Sequence, residues 1–170
     1  MIRIRATVGV LLFLLLFCGL TGCGARDGVS AVALVSEMLS FEGDCPHGVL
    51  YDSSVEEGTH GYFSESLCAA LYGDGKMPTE WEYVEEFAVF LSTSERPLEL
   101  TVFVAVSHDG AERLAALCAR RLAVLRRYYR GTDFEPYTAS ARIVMLGRYV
   151  VMAVSADAEG AIDVVRRGLR

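Results

Sequence analysis

The chain has 170 residues and a mass of 18.6 kDa, which suits one ordinary domain beside a targeting segment and excludes a second large domain. Hydrophobic residues make up 52% and charged residues 22%, with 4 prolines, so the composition is that of a folded chain and excludes wholesale disorder. Sixteen basic against 22 acidic residues give a net charge of −6, which disfavours a general nucleic-acid binder, because such a protein must replace the counterions around phosphates.

Arg3 and Arg5 precede an uncharged apolar run from Ala6 to Leu20, and the small residues Thr21 and Gly22 follow it. This is the pattern of a secretory signal segment. The run falls short of the roughly 20 apolar residues that a membrane-spanning helix needs. Leu20-Thr21-Gly22-Cys23 resembles the lipobox of bacterial lipoproteins, a branched residue and two small ones before a cysteine. The resemblance implies cleavage between Gly22 and Cys23 and a diacylglyceryl group on the Cys23 sulfur. The competing reading is an ordinary signal peptide with an incidental cysteine. Two acyl chains, at about 0.8 kcal/mol per buried methylene, hold a protein stably on a membrane where one chain does not. The expected organisation is a signal peptide over 1–22, a lipidated tether over 23–28 and a single domain over 29–170, held at the extracytoplasmic face of the cell membrane. Loss of the signal leaves 14 basic against 22 acidic residues, a net −8.

Gly24 to Gly28 is short, small and polar, as a tether should be. From Val29 to Phe41, Val32, Val35, Met38 and Leu39 recur at helical spacing behind Ser30, a residue suited to cap the first turn. Glu42 to Tyr62 has loop composition, with room for a short strand at Val49 to Tyr51. Ser64 to Tyr72 reads as a second capped helix, stopped by Gly73-Asp74-Gly75.

The second half has stronger periodicity. Tyr83 to Ser92 and Leu98 to Ser107 read as strands, the latter alternating over Leu100, Val102, Val104 and Val106, with Arg96-Pro97 in the hairpin loop between them. From Asp109 to Tyr129, Leu114, Leu117, Cys118, Leu122, Leu125 and Tyr129 recur every three or four residues and predict the longest helix. Ala141 to Leu146 and Tyr149 to Ser155 predict a hairpin about Gly147-Arg148, and Asp157 to Leu169 a closing helix. The predicted class is α+β: a four-stranded antiparallel sheet of two hairpins in the order ββαββα, with helices mainly on one face and one or two short helices before it.

Glu85-Glu86-Phe87-Ala88-Val89-Phe90-Leu91, the arginine-rich helix, the region Tyr129 to Pro136 and Val144-Met145-Leu146-Gly147-Arg148-Tyr149-Val150 together resemble a family of small bacterial lipoproteins. It is a domain-of-unknown-function family common in Clostridia-like Gram-positive bacteria. The resemblance spans roughly Val29 to Leu169 and rests on structural motifs, so it implies a lipobox followed by one domain and no particular activity. The loop Phe134-Glu135-Pro136-Tyr137 departs from the family's Tyr-x-Pro-like pattern.

Chemistry-bearing residues are sparse. Of the cysteines other than Cys23 in the mature chain, Cys45 and Cys68 are the candidate disulfide, whereas Cys118 falls on the apolar side of its helix and reads as a core residue. Cys45-Pro46-His47 with His60 fits no zinc-ligand spacing, and no metal or cofactor is expected. A Gly-x-Ser-x-Gly elbow is missing, and Glu85-Glu86 cannot flank one bond because adjacent strand residues point to opposite faces. No catalytic residue is assigned. Arg113, Arg120 and Arg127 recur at seven-residue spacing along one helical face, with Arg130 near it. That stripe is the candidate face for anionic headgroups or teichoic-type polymers. Sixteen acids against Lys76 and Arg96 lie between Asp27 and Asp109, whereas 11 arginines outnumber 6 acids from Ala111 onward, so mutual neutralisation across the fold is the competing account. The functional expectation is a membrane-anchored envelope lipoprotein whose domain binds or scaffolds an envelope protein or an anionic polymer. The alternative is a solute-binding or enzymatic accessory lipoprotein with a cleft lined by Glu42 to Tyr62.

Overall fold

Ser30 and Ser64 each stand one residue before a helix, where a serine hydroxyl can accept from a backbone N–H that the first turn leaves without a partner. A computed structural model describes residues 28–43 and 47–170 of the chain. The signal segment, Gly22, Cys23 and Cys45 lie outside the described residues. Helix α1 (Ala31–Phe41) starts at Ser30, whose hydroxyl accepts from the Ala33 amide at 3.2 Å. Strand β1 (Gly48–Asp52) comes next, then α2 (Glu65–Tyr72) behind the Ser64 cap. A 3-10 turn (Thr79–Tyr83) leads into β2 (Val84–Ser92) and β3 (Glu99–Ala105). The long α3 (His108–Tyr128), α4 (Glu135–Ser140), β4 (Arg142–Leu146), β5 (Tyr149–Val154) and α5 (Ala158–Gly168) complete the order.

The α+β class agrees with the sequence, but the sheet has five strands instead of four, in the order β1-β2-β3-β5-β4 with every neighbouring pair antiparallel. The fifth is β1, which covers the short strand allowed at Val49 to Tyr51 within a segment read mainly as loop; Val49 pairs with Leu91 and Tyr51 with Val89. Helices on mainly one face is the second expectation to be corrected, because they cover both faces. The cause is visible in β3 and β5, which are buried along their whole length. Leu100, Val102, Val151 and Ala153 meet Leu34, Val35 and Met38 of α1 and Ile162 and Val165 of α5 on one side. Phe103, Val150 and Met152 meet Leu114, Leu117 and Cys118 of α3 on the other. Reading only the Leu100, Val102, Val104 row hid the second apolar row, and a sheet apolar on both faces needs two covers.

Two ends of this sandwich matter for function. α1 begins where β2 begins, since the Ala31 amide donates to Glu86 Oε1 at 2.7 Å and Tyr149 Oη donates to the Val29 carbonyl at 3.0 Å. α3 also begins there, capped by Ser107, with Val106 bonded to Tyr83. Its 21 residues carry it about 31 Å toward the opposite end.

Burial has a pH consequence. It pushes the Cys68 thiol up to about 12 and raises the Cys118 thiol and the Tyr72 phenol as well, with Glu65 adding to the first and Glu99 to the other two. The native state therefore holds these protons more tightly than the unfolded chain, whose groups titrate near 9.0 and 10.0. Their stabilising contribution is complete below pH 9.0 and declines as the pH rises toward the native values. Urea midpoints should fall progressively on the alkaline side, and a midpoint constant from about pH 8 to about pH 10.5 would contradict the burial of these groups.

Candidate functional site

The loop after α2 is shaped by its glycines. A Cβ on Gly73 would lie 1.6 Å from the Lys76 carbonyl oxygen, and Gly75 has φ +87, so neither position takes a side chain without rearrangement. Between them Asp74 adopts φ 54, the left-handed region, and is the one non-glycine residue to do so among the described residues. Asp tolerates that conformation better than most side chains, and such geometry concentrates at functional sites. The loop forms one wall of a cleft of about 490 Å³. The 3-10 turn forms a second wall with Thr79 and Glu80, and α3 supplies the third with Arg120, Arg121 and Arg127.

The three arginines differ in their surroundings. Arg120 Nη2 donates to Glu80 Oε1 at 2.8 Å. Burial would raise the Glu80 carboxyl, but its own backbone N–H and the Arg120 guanidinium outweigh that and hold it below the ordinary value. Arg127 is exposed and, among the described residues, has no carboxylate within 4.0 Å. Arg121 is pinned against the sheet: Nη2 donates to Glu99 Oε2 at 2.7 Å, and Nε lies 3.1 Å and 3.2 Å from the two carboxylate oxygens. Its side chain is 14% exposed and that of Glu99 5%. Burial pulls the Arg121 guanidinium down, and the adjoining Glu99 carboxylate more than offsets this, holding it above the usual arginine value. Tyr72 Oη lies 3.4 Å from Glu99 Oε1 and 3.2 Å from Thr101 Oγ1, so the carboxylate is satisfied from two sides. That leaves Arg121 Nη1 without a protein hydrogen bond among the described residues. A fixed, permanently charged fork with spare donors, beside a second arginine free of carboxylates, suits a planar or tetrahedral anion.

The structure sorts the residues singled out from the sequence. Arg120 and Arg127 come together in the cleft. Arg113 lies toward the other end of α3, stacked over the Tyr83 ring at 5.1 Å, and Arg130 lies beyond the helix, outside the cleft lining. Cys68 is buried in the core under α2 and has no disulfide partner among the described residues, which do not include Cys45, and Cys118 is equally buried. Glu85 pairs with Arg148, and Glu86 binds the start of α1, so both carboxylates have structural partners. His108 sits 3.9 Å from Glu112 on an exposed turn, and among the described residues no three His, Cys, Asp or Glu side chains gather where they could hold a metal ion. Arg121, Glu99 and Tyr72 were missed. A signal for them existed: Glu99 is the one charged residue of its strand, and a buried carboxylate requires a cation.

The fold and the cleft define an α+β domain with one five-stranded antiparallel sheet between helical layers and a basic depression on its longest helix. Compared with known proteins, the chain matches no family model, and no curated protein or solved structure matches it.

Proposed function

We propose that this chain is a small bacterial envelope lipoprotein of the kind its sequence resembles, a non-enzymatic binding domain whose arginine cleft takes an anionic group of another envelope component. Its anchor is the lipidated Cys23, and the ligand is not nucleic acid. The observation that carries the binding assignment is the pairing of Arg127, which has no carboxylate within 4.0 Å among the described residues, with the buried Arg121 fork in one cleft. Cys23 stands seven residues before Ser30, so an extended tether reaches about 25 Å at most. The tether leaves from the end where α3 begins, whereas Arg127 lies about 28 Å further along that helix. On this reading the cleft faces away from the bilayer, toward a wall or protein ligand instead of the headgroups beside the anchor.

The test uses the full chain in nanodiscs of neutral lipid, titrated with pyrophosphate at low salt. Arg127→Gln should weaken binding about 10-fold, the loss of one charge-assisted contact. Arg113→Gln, at the other end of the stripe, should leave it unchanged. Equal weakening by both substitutions would mean diffuse electrostatics, and the cleft assignment would be wrong.

A further inference from the structure

We propose that the arginine cleft is one end of a continuous track around the C-terminal half of α3, and that its ligand is an anionic glycopolymer carrying both acidic and neutral hydroxylated units. This rests on reading the arginine cleft as an anion site. A smaller cleft of about 160 Å³, between the β2–β3 loop and α3, is lined by Glu99, Arg121 and Tyr129, so Arg121 is shared with the arginine cleft. Tyr129 in turn also lines an open groove of about 790 Å³ with Tyr128, Phe134, Glu95 and Asp133. Three depressions thus form a chain through the shared residues Arg121, Tyr129 and Ser94, a shape that suits an elongated ligand better than a compact solute.

The chemistry changes along this track. At the groove end Tyr128 is 76% exposed, the most exposed of the large hydrophobic residues. Its ring meets that of Tyr129 edge to face at 4.9 Å and 81°, and Tyr129 meets Phe134 in the same way at 6.3 Å and 88°, so the three rings form an angled aromatic surface. Such rings pack against the C–H face of a sugar, and the polar rim accepts its hydroxyls. Glu95 and Asp133 form no ion pair among the described residues and are the acceptors there. They also repel a chain with a charge on every unit. An oligonucleotide or polyphosphate places a charge there; a polymer with neutral hydroxylated units between its acids avoids this conflict.

The experiment titrates the full chain in neutral-lipid nanodiscs with three probes: an alternating uronate–hexosamine oligosaccharide, pyrophosphate, and oligothymidylate. The wild type should bind the oligosaccharide. Tyr128→Ala should weaken that binding about 10-fold and leave pyrophosphate binding unchanged, whereas Arg127→Gln should weaken both. Asp133→Ala is the second groove variant and should behave as Tyr128→Ala does. If both groove variants bind the oligosaccharide as the wild type does while Arg127→Gln does not, the track is wrong and the cleft stands. If Arg127→Gln leaves pyrophosphate binding intact, the cleft reading itself fails. No oligosaccharide binding by the wild type, or tighter binding of oligothymidylate, would overturn the ligand class.

Discussion

Glu99→Ala should lower the unfolding free energy by about 3–5 kcal/mol, the usual cost of removing one partner from a buried ion pair. The substitution leaves the Arg121 guanidinium, 14% exposed, against the sheet with no carboxylate. It also removes the acceptor that Tyr72 Oη reaches at 3.4 Å. A domain of this size has only about 5–15 kcal/mol of total stability, so the variant would sit near the threshold of folding. The size of the loss measures desolvation of the orphaned charge and not the worth of the pair. For that reason Glu99→Leu combined with Arg121→Met should recover most of the stability, as apolar replacements of buried pairs do. That double variant should nonetheless lose pyrophosphate affinity, since the fork that grips the anion is gone. Urea unfolding of the single and double variants decides the matter; a single-variant loss under about 1 kcal/mol would mean that water reaches the pair freely.

If Cys23 carries the proposed anchor, Cys23→Ser should abolish the lipid modification and leave the N-terminal segment uncleaved, so that the processed, acylated fragment disappears. On the proposed lipoprotein reading a serine hydroxyl cannot form the thioether, so the diacylglyceryl group and the cleavage that depends on it would both be lost and the apolar run from Ala6 to Leu20 would stay attached. Two acyl chains make detachment negligible, and the described residues contain no helix long and apolar enough to cross a membrane in their place. The mass of the N-terminal fragment reads the result. An N-terminal fragment processed alike in wild type and variant, with no lipid mass on the wild-type Cys23, would remove the anchor from the account.

The elements that were legible in the sequence are those whose signal is local. Ser30 and Ser64 cap their helices, and Gly147 turns the last hairpin at φ 65, each by chemistry confined to a few neighbouring residues. The long amphipathic helix was equally plain, because Leu114, Leu117, Cys118, Leu122 and Leu125 repeat over several turns. Information carried by distant partners was not. β1 is only five residues long and is held by β2, about 40 residues away; Val49 to Tyr51 suggested a short strand, but nothing local placed it at the edge of the main sheet. The second helical layer was missed because the strands were read as alternating, although Tyr149–Val154 is a continuous apolar run of the kind that a strand buried on both faces shows. At the site, heptad spacing placed Arg120 and Arg127 on one face, yet it also admitted Arg113, which tertiary structure assigns to Tyr83. Arg121 escaped the stripe because its meaning comes from Glu99, on a strand 22 residues earlier.

The central claim, that Arg121 and Arg127 grip an anion in one cleft, is tested most directly by observing the arginine Nε–H resonances of the full chain during a pyrophosphate titration. The signals of Arg120, Arg121 and Arg127 should shift together and saturate with one dissociation constant, while that of Arg113 stays in place. Shifts spread over all arginines without saturation, or a motionless Arg121 signal, would contradict it.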